Sequence, residues 1–223
     1  MIRFDNHAFK GLDDALQQLF SMLMSMGDST QQLIALLPPA LDSADEHTFG
    51  QAKAIDKTVN ATEMQVDSAV AAIINKFGIA GEDLRFVLAA IKIAATLEGS
   101  ADKVKNCAKR LSRIGHPLDA AIRGELHTAI TALAAMMPLA LGQVLEYDPE
   151  ATQQLLAHGA AVQKAYRSIL LRLHTHQSTA DDETHILLVA KNLEQAADMA
   201  VEIMKISHMV HFAAKYDKHA NGA

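Results

Sequence analysis

Apolar residues recur at spacings of three and four along most of the chain, which is the period of amphipathic α-helices. Prolines, glycines and polar runs divide this pattern into six long segments. We expect helices at residues 8–37, 45–76, 83–114, 118–145, 149–173 and 181–210. Nothing in the sequence shows the alternation typical of strands. The pattern therefore predicts an all-α protein built from long antiparallel helices.

The predicted helix ends depend on a few turn-forming residues. Pro38 and Pro39 are expected to end the first helix and to open a linker at residues 38–46, in which Ser43 or Asp45 can cap the second helix. Gly78 is expected to end that second helix.

Later boundaries rest on similar signals. Asp83 is expected to start the third helix, and residues 115–117 (Gly-His-Pro) form the clearest boundary in the chain. Pro138 is expected to kink the fourth helix or to mark a local break. Asp148 followed by Pro149 is typical of a capped start for the fifth helix.

A short sequence occurs twice in the same frame. Leu, Glu, Ala and Asp at positions 97, 98, 101 and 102 recur at positions 193, 194, 197 and 198, with the same offset of 96 residues for both acidic positions (194 − 98 and 198 − 102). A repeat of this length indicates an internal duplication. We therefore predict two tandem three-helix bundles, covering residues 1–115 and 116–223.

Each copy carries an acidic pair, Glu98 with Asp102 and Glu194 with Asp198. Residues four apart lie on one helical face, where like charges repel, so we expect a cation between the carboxylates. Carboxylates suit Mg²⁺, Mn²⁺, Ca²⁺ and iron, and Zn²⁺ also accepts them. Acidic residues of the preceding helix, at seven and four residues' spacing, could complete the first site: Asp56, Glu63 and Asp67. The alternative, that each pair is an acidic face in solvent, remains open.

Composition narrows the class of protein. Hydrophobic residues make up 50% of the chain but aromatic residues only 4%, as expected for packed helices. The net charge of −6 argues against binding to nucleic acid, which requires clustered Lys and Arg. Cys107 is the only cysteine, so it cannot form an intrachain disulfide, and we expect a buried thiol in a cytoplasmic protein. The N-terminal residues lack the apolar run of a signal peptide.

One segment, residues 128–145, has no charge and approaches the length of a membrane span. Threonines, Pro138, Gly142 and Gln143 interrupt it, and its alanine-rich composition provides little transfer energy. We therefore predict a core helix.

Motifs of catalysis are absent from the sequence. No Glu is followed by His three positions later, which disfavours a di-iron centre of the ferritin type. Two histidine pairs, at 174 with 176 and at 208 with 211, are expected to be surface or helix-end residues. We predict that the chain is not an enzyme. A metal-dependent enzyme, a metal-storage bundle and a plain helical scaffold are the alternatives.

The segments at residues 84–106 and 187–203, with their acidic motifs inside apolar helical frames, resemble the PhoU family of phosphate-transport regulators. The likeness in helix order extends over about residues 7–212. It implies two three-helix bundles in a cytoplasmic, often dimeric protein that dampens the phosphate-starvation response. It also implies contacts with the phosphate ABC transporter and its sensor histidine kinase, so that the chain would be peripheral to the membrane through its partners.

The resemblance also implies a set of metal ligands. By position, the family's ligands correspond to Glu98, Asp102, Asn106, Glu194 and Asp198, and its acidic residues on the preceding helix to Asp56 and Glu63. The chain departs from the family pattern at Thr96, Gly99 and Gln195, and its fifth helix has Tyr166 and Leu170 where Glu63 and Asp67 would correspond. An accessory role for another transporter is the alternative these departures raise.

Overall fold

The computed structural model describes residues 10–42, 46–115, 117–174 and 180–220. Helices account for all of its regular structure over these residues: α1 Lys10–Ala35, α2 Leu37–Asp42, α3 Glu46–Phe77, α4 Gly81–Leu111, α5 Ala120–Leu145, α6 Pro149–Leu173 and α7 Ala180–Ala220. The prediction of an all-α protein with six long helices is confirmed.

The linker after the first helix was predicted only in part. Pro38 and Pro39 do not open an irregular segment, since both lie in the first turn of the short helix α2. A proline is tolerated there because the first N–H groups of a helix have no intrahelical partner. Leu37, Ala40 and Leu41 of α2 are buried, and α2 packs against α4 and α5. The proposed caps Ser43 and Asp45 lie outside the described residues.

Helix ends follow the predicted chemistry at some boundaries and not at others. Asp148 caps α6 by accepting hydrogen bonds from the backbone N–H of Glu150 (2.8 Å) and Ala151 (3.2 Å), with Pro149 at the first helical position, as predicted. Gly78, where the second helix was expected to end, has a left-handed φ of 58° directly after α3.

Other helix ends differ from the predicted ones. α4 begins at Gly81, whose φ is 60°, and not at Asp83. α5 begins at Ala120, because Asp119 accepts from the backbone N–H of the second and third residues after it. α7 continues to Ala220, about ten residues past Val210, whereas it was expected to end at Val210 or slightly beyond.

The helices contact one another in two groups of three. α1, α3 and α4 pack mutually, and so do α5, α6 and α7. The groups meet chiefly along α4 and α7, with α1 against α5 as a second junction. Buried apolar side chains form one cluster that runs through both groups. The division at residues 115 and 116 stays a prediction, and His116 is not described.

The uncharged segment lies in α5. Among the described residues, α5 is the one helix long and apolar enough to cross a membrane, but 56% of its most apolar window is buried inside the protein. It packs against α1, α6 and α7, and Leu126, Leu133 and Met136 are fully buried. The helix runs without a break through Pro138, contrary to one of the two expectations for that residue. α5 is a core helix, as predicted.

Candidate functional site

The two predicted acidic pairs lie on the two central helices. Glu98 and Asp102 are on α4, Glu194 and Asp198 are on α7, and α4 packs against α7. The helices approach closely at Gly99, where a Cβ atom would lie 3.1 Å from Cε of Met199. Gly99, one of the departures from the pattern of the resemblance, therefore lies at a helix crossing.

The first acidic cluster consists of Asp56 and Glu63 on α3 with Glu98 and Asp102 on α4. Lys105 lies within it and bridges the two helices: its Nζ is 2.7 Å from Oδ1 of Asp102 and 3.0 Å from Oδ2 of Asp56. Asp56 is a buried carboxylate with 8% of its side chain exposed, and the Lys105 side chain is 20% exposed. An ammonium group of the chain itself therefore lies beside Asp102 of the first acidic pair.

Two amides complete the surroundings of this cluster. Asn106 donates from Nδ2 to Oδ2 of Asp102 at 3.0 Å. With its amide nitrogen turned toward α4, Asn60 donates to Oε1 of Glu98 (3.2 Å) and to the backbone carbonyl of Asp56 (3.2 Å). Oδ1 of Asp56 is buried and has no hydrogen-bond partner. The groups that face the carboxylates are thus mainly donors.

The crowding of carboxylates has an electrostatic consequence. Burial, followed by the charges of Glu63, Asp102 and Asp56, raises the pKa of Glu98, and the charge of Lys105 only partly opposes this. Burial alone would lower the pKa of Lys105, but its hydrogen bonds to Asp102 and Asp56 outweigh that effect and raise it. Lys105 is therefore held in its charged form.

The second acidic cluster, Glu194 and Asp198 with Lys191, is smaller. Lys191 donates from Nζ to Oε2 of Glu194 at 2.5 Å, and the same Nζ lies 5.5 Å from the centroid of the Tyr166 ring on α6. Burial and the charge of Glu194 raise the pKa of Asp198. In this cluster the neighbouring helix α6 presents an aromatic ring to the lysine. In the first cluster the neighbouring helix α3 presents a carboxylate to the lysine instead.

The fit of this arrangement to a metal ion can be judged from its donor set. Carboxylates are suitable ligands, but Lys105, Asn106 and Asn60 direct N–H groups at them, and Asn106 was itself expected to be a ligand. Over the described residues, no group of three or more His, Cys, Asp or Glu side chains is arranged to hold a metal ion. The predicted ligands therefore do not fit a metal as they lie here, and metal binding at these seven residues stays a prediction.

Sequence reasoning did not identify the lysines or Asn60 as members of the site. A signal was present, since Lys105 follows Asp102 by three residues and Lys191 precedes Glu194 by three, a spacing that places each pair on one face. Asp67, the third acidic candidate on α3, is exposed.

The histidines near the end of α7 have a different environment from the expected one. His208 is half-buried, and its Nε2 lies 3.1 Å from Oε1 of Gln143 and 3.3 Å from Oγ1 of Thr152. Nε2 of His211 lies 2.9 Å from the backbone carbonyl of Gln143, and the Tyr147 ring packs edge-on against His208. These residues tie α5, α6 and α7 together, so this pair is not merely on the surface. His174 is the C-cap residue of α6, and His176 lies outside the described residues.

The same arrangement of six long helices is found in solved structures of other proteins. Its fold matches the crystal structure of PhoU from Pseudomonas aeruginosa with a TM-score of 0.80 and 20% sequence identity, covering 89% of this chain and 97% of that one. It also matches the phosphate transport system regulatory protein PhoU from Streptococcus pneumoniae, with a TM-score of 0.78 and 17% identity over 90% and 96% of the two chains.

Sequence comparison extends the likeness beyond the fold. The PhoU domain family matches residues 23–111. The chain is 29% identical, over 93% of its length and 88% of the relative's, to a phosphate-specific transport system accessory protein PhoU homolog from Zymomonas mobilis. A homolog of the same name from Rhizobium meliloti is 26% identical over 88% and 85% of the two chains.

The fold class is therefore that of the PhoU proteins, as the motif resemblance predicted. Residues 23–111 match the PhoU domain family, and nearly the whole chain is similar to proteins named as PhoU homologs. These relatives are named as accessory proteins, in agreement with the prediction that the chain is not an enzyme.

Proposed function

We propose that the chain is an accessory regulator of a phosphate transport system. One observation carries this proposal: similarity to accessory proteins of phosphate-specific transport extends over 93% of the chain, and so includes both groups of three helices. The fold adds support, because one structure that it matches is a regulatory protein of such a system. The regulator acts in the cytoplasm by binding other proteins, among them the transporter and its sensor histidine kinase, and it does so as a homodimer.

An exposed apolar groove between the central helices supports a role in protein binding. Leu88 of α4 and Met209 of α7 are 47% and 56% exposed, and they line a groove of about 270 Å³ together with Ala89 and Ile206. Large apolar side chains grouped on a surface favour contact with a partner.

Charge indicates what kind of partner segment the groove fits. Arg85 and Lys92 also line it and place positive groups along its α4 side. We assign the groove to a helix of the partner with an apolar stripe flanked by acidic side chains. A single apolar edge on such a helix would fill the space between Leu88 and Met209.

The regulatory role is tested in the native host. Deletion of the gene is expected to raise phosphate uptake and the starvation response in phosphate-rich medium, and the intact gene should restore both. Unchanged uptake and response after deletion would exclude a phosphate role and favour service to another transporter. Purification of the chain from phosphate-rich cells should recover the transporter ATPase or the sensor kinase.

The groove is tested with two leucine variants. Leu88→Asp should abolish recovery of the partner, because it places a negative charge in the apolar groove beside the acidic partner helix. Leu171→Asp is the matched control, since Leu171 of α6 is exposed (71%) and is not among the residues that line the groove. Equal recovery by both variants would remove the groove from the partner surface.

A further inference from the structure

We propose that this chain neutralises its acidic clusters with its own lysines, Lys105 and Lys191, in place of a bound metal ion. The proposal concerns these clusters alone and does not depend on the phosphate role. It also assigns a latent divalent-cation site to the first acidic cluster, closed in the natural chain by Lys105.

The Lys105 ammonium occupies the place that a metal ion would need. Its nitrogen lies 2.7 Å from a carboxylate oxygen of Asp102 on α4 and 3.0 Å from one of Asp56 on α3. The Asp56 side chain is only 8% exposed. A Mg²⁺ or Mn²⁺ ion bound by these two oxygens would need distances of about 2.0–2.3 Å to each. It would therefore have to take the volume that the ammonium fills, against the repulsion of a like charge.

The surrounding amides also favour a site without metal. Asn106 and Asn60 present N–H groups to Asp102 and Glu98, as Lys105 does to Asp56. A metal site needs oxygen acceptors that converge on the ion, and these donors instead use the carboxylate lone pairs. The cluster is organised as a hydrogen-bonded ion-pair network between α3 and α4.

The second cluster also contains a lysine beside its acidic pair, but this lysine comes from a different position relative to the motif. Lys191 approaches Glu194 from three residues earlier, whereas Lys105 approaches Asp102 from three residues later. By the repeat offset of 96 residues, the counterpart of Lys105 is Val201 and that of Lys191 is Ala95. The lysines were therefore not inherited together from one duplicated position. Two separate placements of a cation beside the acidic motif favour a shared electrostatic requirement.

Removal of Lys105 should convert the first cluster into a cation site. Oxygens of Asp56 and Asp102 already converge on one point, and Oδ1 of Asp56 is buried without a hydrogen-bond partner. The loss of one positive charge leaves these carboxylates uncompensated, which increases their attraction for a divalent ion. Mn²⁺ is the suitable probe because it accepts carboxylate ligands in flexible numbers.

The experiment is isothermal titration of the metal-free full chain with Mn²⁺ and Mg²⁺. Lys105→Ala is expected to bind one Mn²⁺ at least about tenfold more tightly than the natural chain, by the loss of an adjacent like charge. Lys57→Ala is the matched control: Lys57 is exposed on α3 next to Asp56 in sequence, and its removal changes the net charge equally. This control should bind Mn²⁺ as weakly as the natural chain.

Two results would overturn the proposal. One is tight, stoichiometric Mn²⁺ or Mg²⁺ binding by the natural chain that Lys105→Ala leaves unchanged or weakens. The other is a folded Lys105→Ala variant with no gain in affinity over Lys57→Ala. Lys105→Gln keeps most of the side-chain length and is measured in parallel, so that poor folding of the alanine variant does not remove the test. Neither result would bear on phosphate uptake, which is measured separately.

Discussion

Gln31 of α1 donates a hydrogen bond from Nε2 to the backbone carbonyl of Ala134 in α5, at 3.0 Å. Ala134 is four residues before Pro138, and a proline has no N–H to donate to the carbonyl four residues earlier. The amide of Gln31 therefore replaces the hydrogen bond that Pro138 removes from α5. This contact lies at the junction of α1 with α5, where the two groups of helices meet away from α4 and α7.

The first prediction concerns this replacement. Gln31→Leu should lower the free energy of unfolding by about 1–3 kcal/mol, because it leaves a partly buried carbonyl without a donor. Pro138→Ala returns an N–H to α5, and in that background Gln31→Leu should cost much less. Urea denaturation of the four proteins gives the coupling between the two positions. Equal costs of Gln31→Leu in both backgrounds would show that Gln31 does not compensate for the proline.

The same junction contains a glycine that allows close packing. A Cβ atom at Gly27 of α1 would lie 2.1 Å from Cδ1 and 3.2 Å from Cγ of Leu141 in α5, so Leu141 would have to move. We expect Gly27→Ala to destabilise the protein by about 1–3 kcal/mol, the usual cost of overpacking.

Gly124→Ala is the matched control for this prediction. Gly124 is an exposed helical residue of α5, and a Cβ atom added there would meet no neighbouring atom within 4 Å. Its replacement should stabilise the protein by about 0.5–1 kcal/mol through the better helix propensity of alanine. Thermal unfolding measures both changes. A stabilised Gly27→Ala variant would mean that Leu141 adjusts at no cost.

The sequence predicted the helices well because their apolar spacing is a local property. It also placed Glu98 and Asp102 on one helical face and predicted that α6 starts at Asp148 and Pro149. Both predictions were possible because they depend on residues that are neighbours along the chain. The sequence did not predict the contact of Lys105 with Asp56, because that contact joins residues 49 positions apart and depends on how α3 and α4 pack. The role of Gln31 was missed for the same reason, since its partner lies 103 residues away.

The third prediction concerns Glu98. Its pKa is raised in the folded protein, first by burial and then by neighbouring carboxylates, so folding binds its proton more tightly. The stability this provides is complete below the ordinary pKa of a glutamate, 4.5, and is lost as the pH rises through the raised folded value. Glu98→Gln should therefore stabilise the protein at pH 7, by less than about 1 kcal/mol because the group is only partly buried.

The pH profile separates this effect from others. The advantage of Glu98→Gln should disappear below pH 4.5, where Glu98 is protonated in both states. Asp67→Asn removes a charge from an exposed position of α3 and should change stability little at any pH. Urea denaturation between pH 4 and pH 8 measures both variants. A destabilised Glu98→Gln at pH 7 would show that the charge of Glu98 is needed in the cluster.

The last prediction concerns His208, whose pKa is lowered from 6.5 by burial and then by the nearby His211. A lowered pKa means that the folded protein prefers the neutral ring, so its stability contribution is present above pH 6.5 and is lost as the pH falls through the folded value. The titratable groups around it are His211 on α7 and, in the segment between α5 and α6, Tyr147 and Asp148. The carboxylate of Asp148 is engaged with the N-terminus of α6, so it is not directed at the imidazole.

A substitution at His208 should therefore flatten the pH dependence of stability. The natural chain should lose free energy of unfolding between pH 7 and pH 5 more steeply than His208→Gln, whose amide can still donate to Gln143. His127→Gln replaces an exposed histidine of α5 and should leave the slope unchanged. Urea denaturation at each pH gives the slopes, and an NMR titration of the His208 ring should place its pKa below 6.5. Parallel slopes for the natural chain and His208→Gln would show that protonation at this junction of α5, α6 and α7 does not weaken the fold.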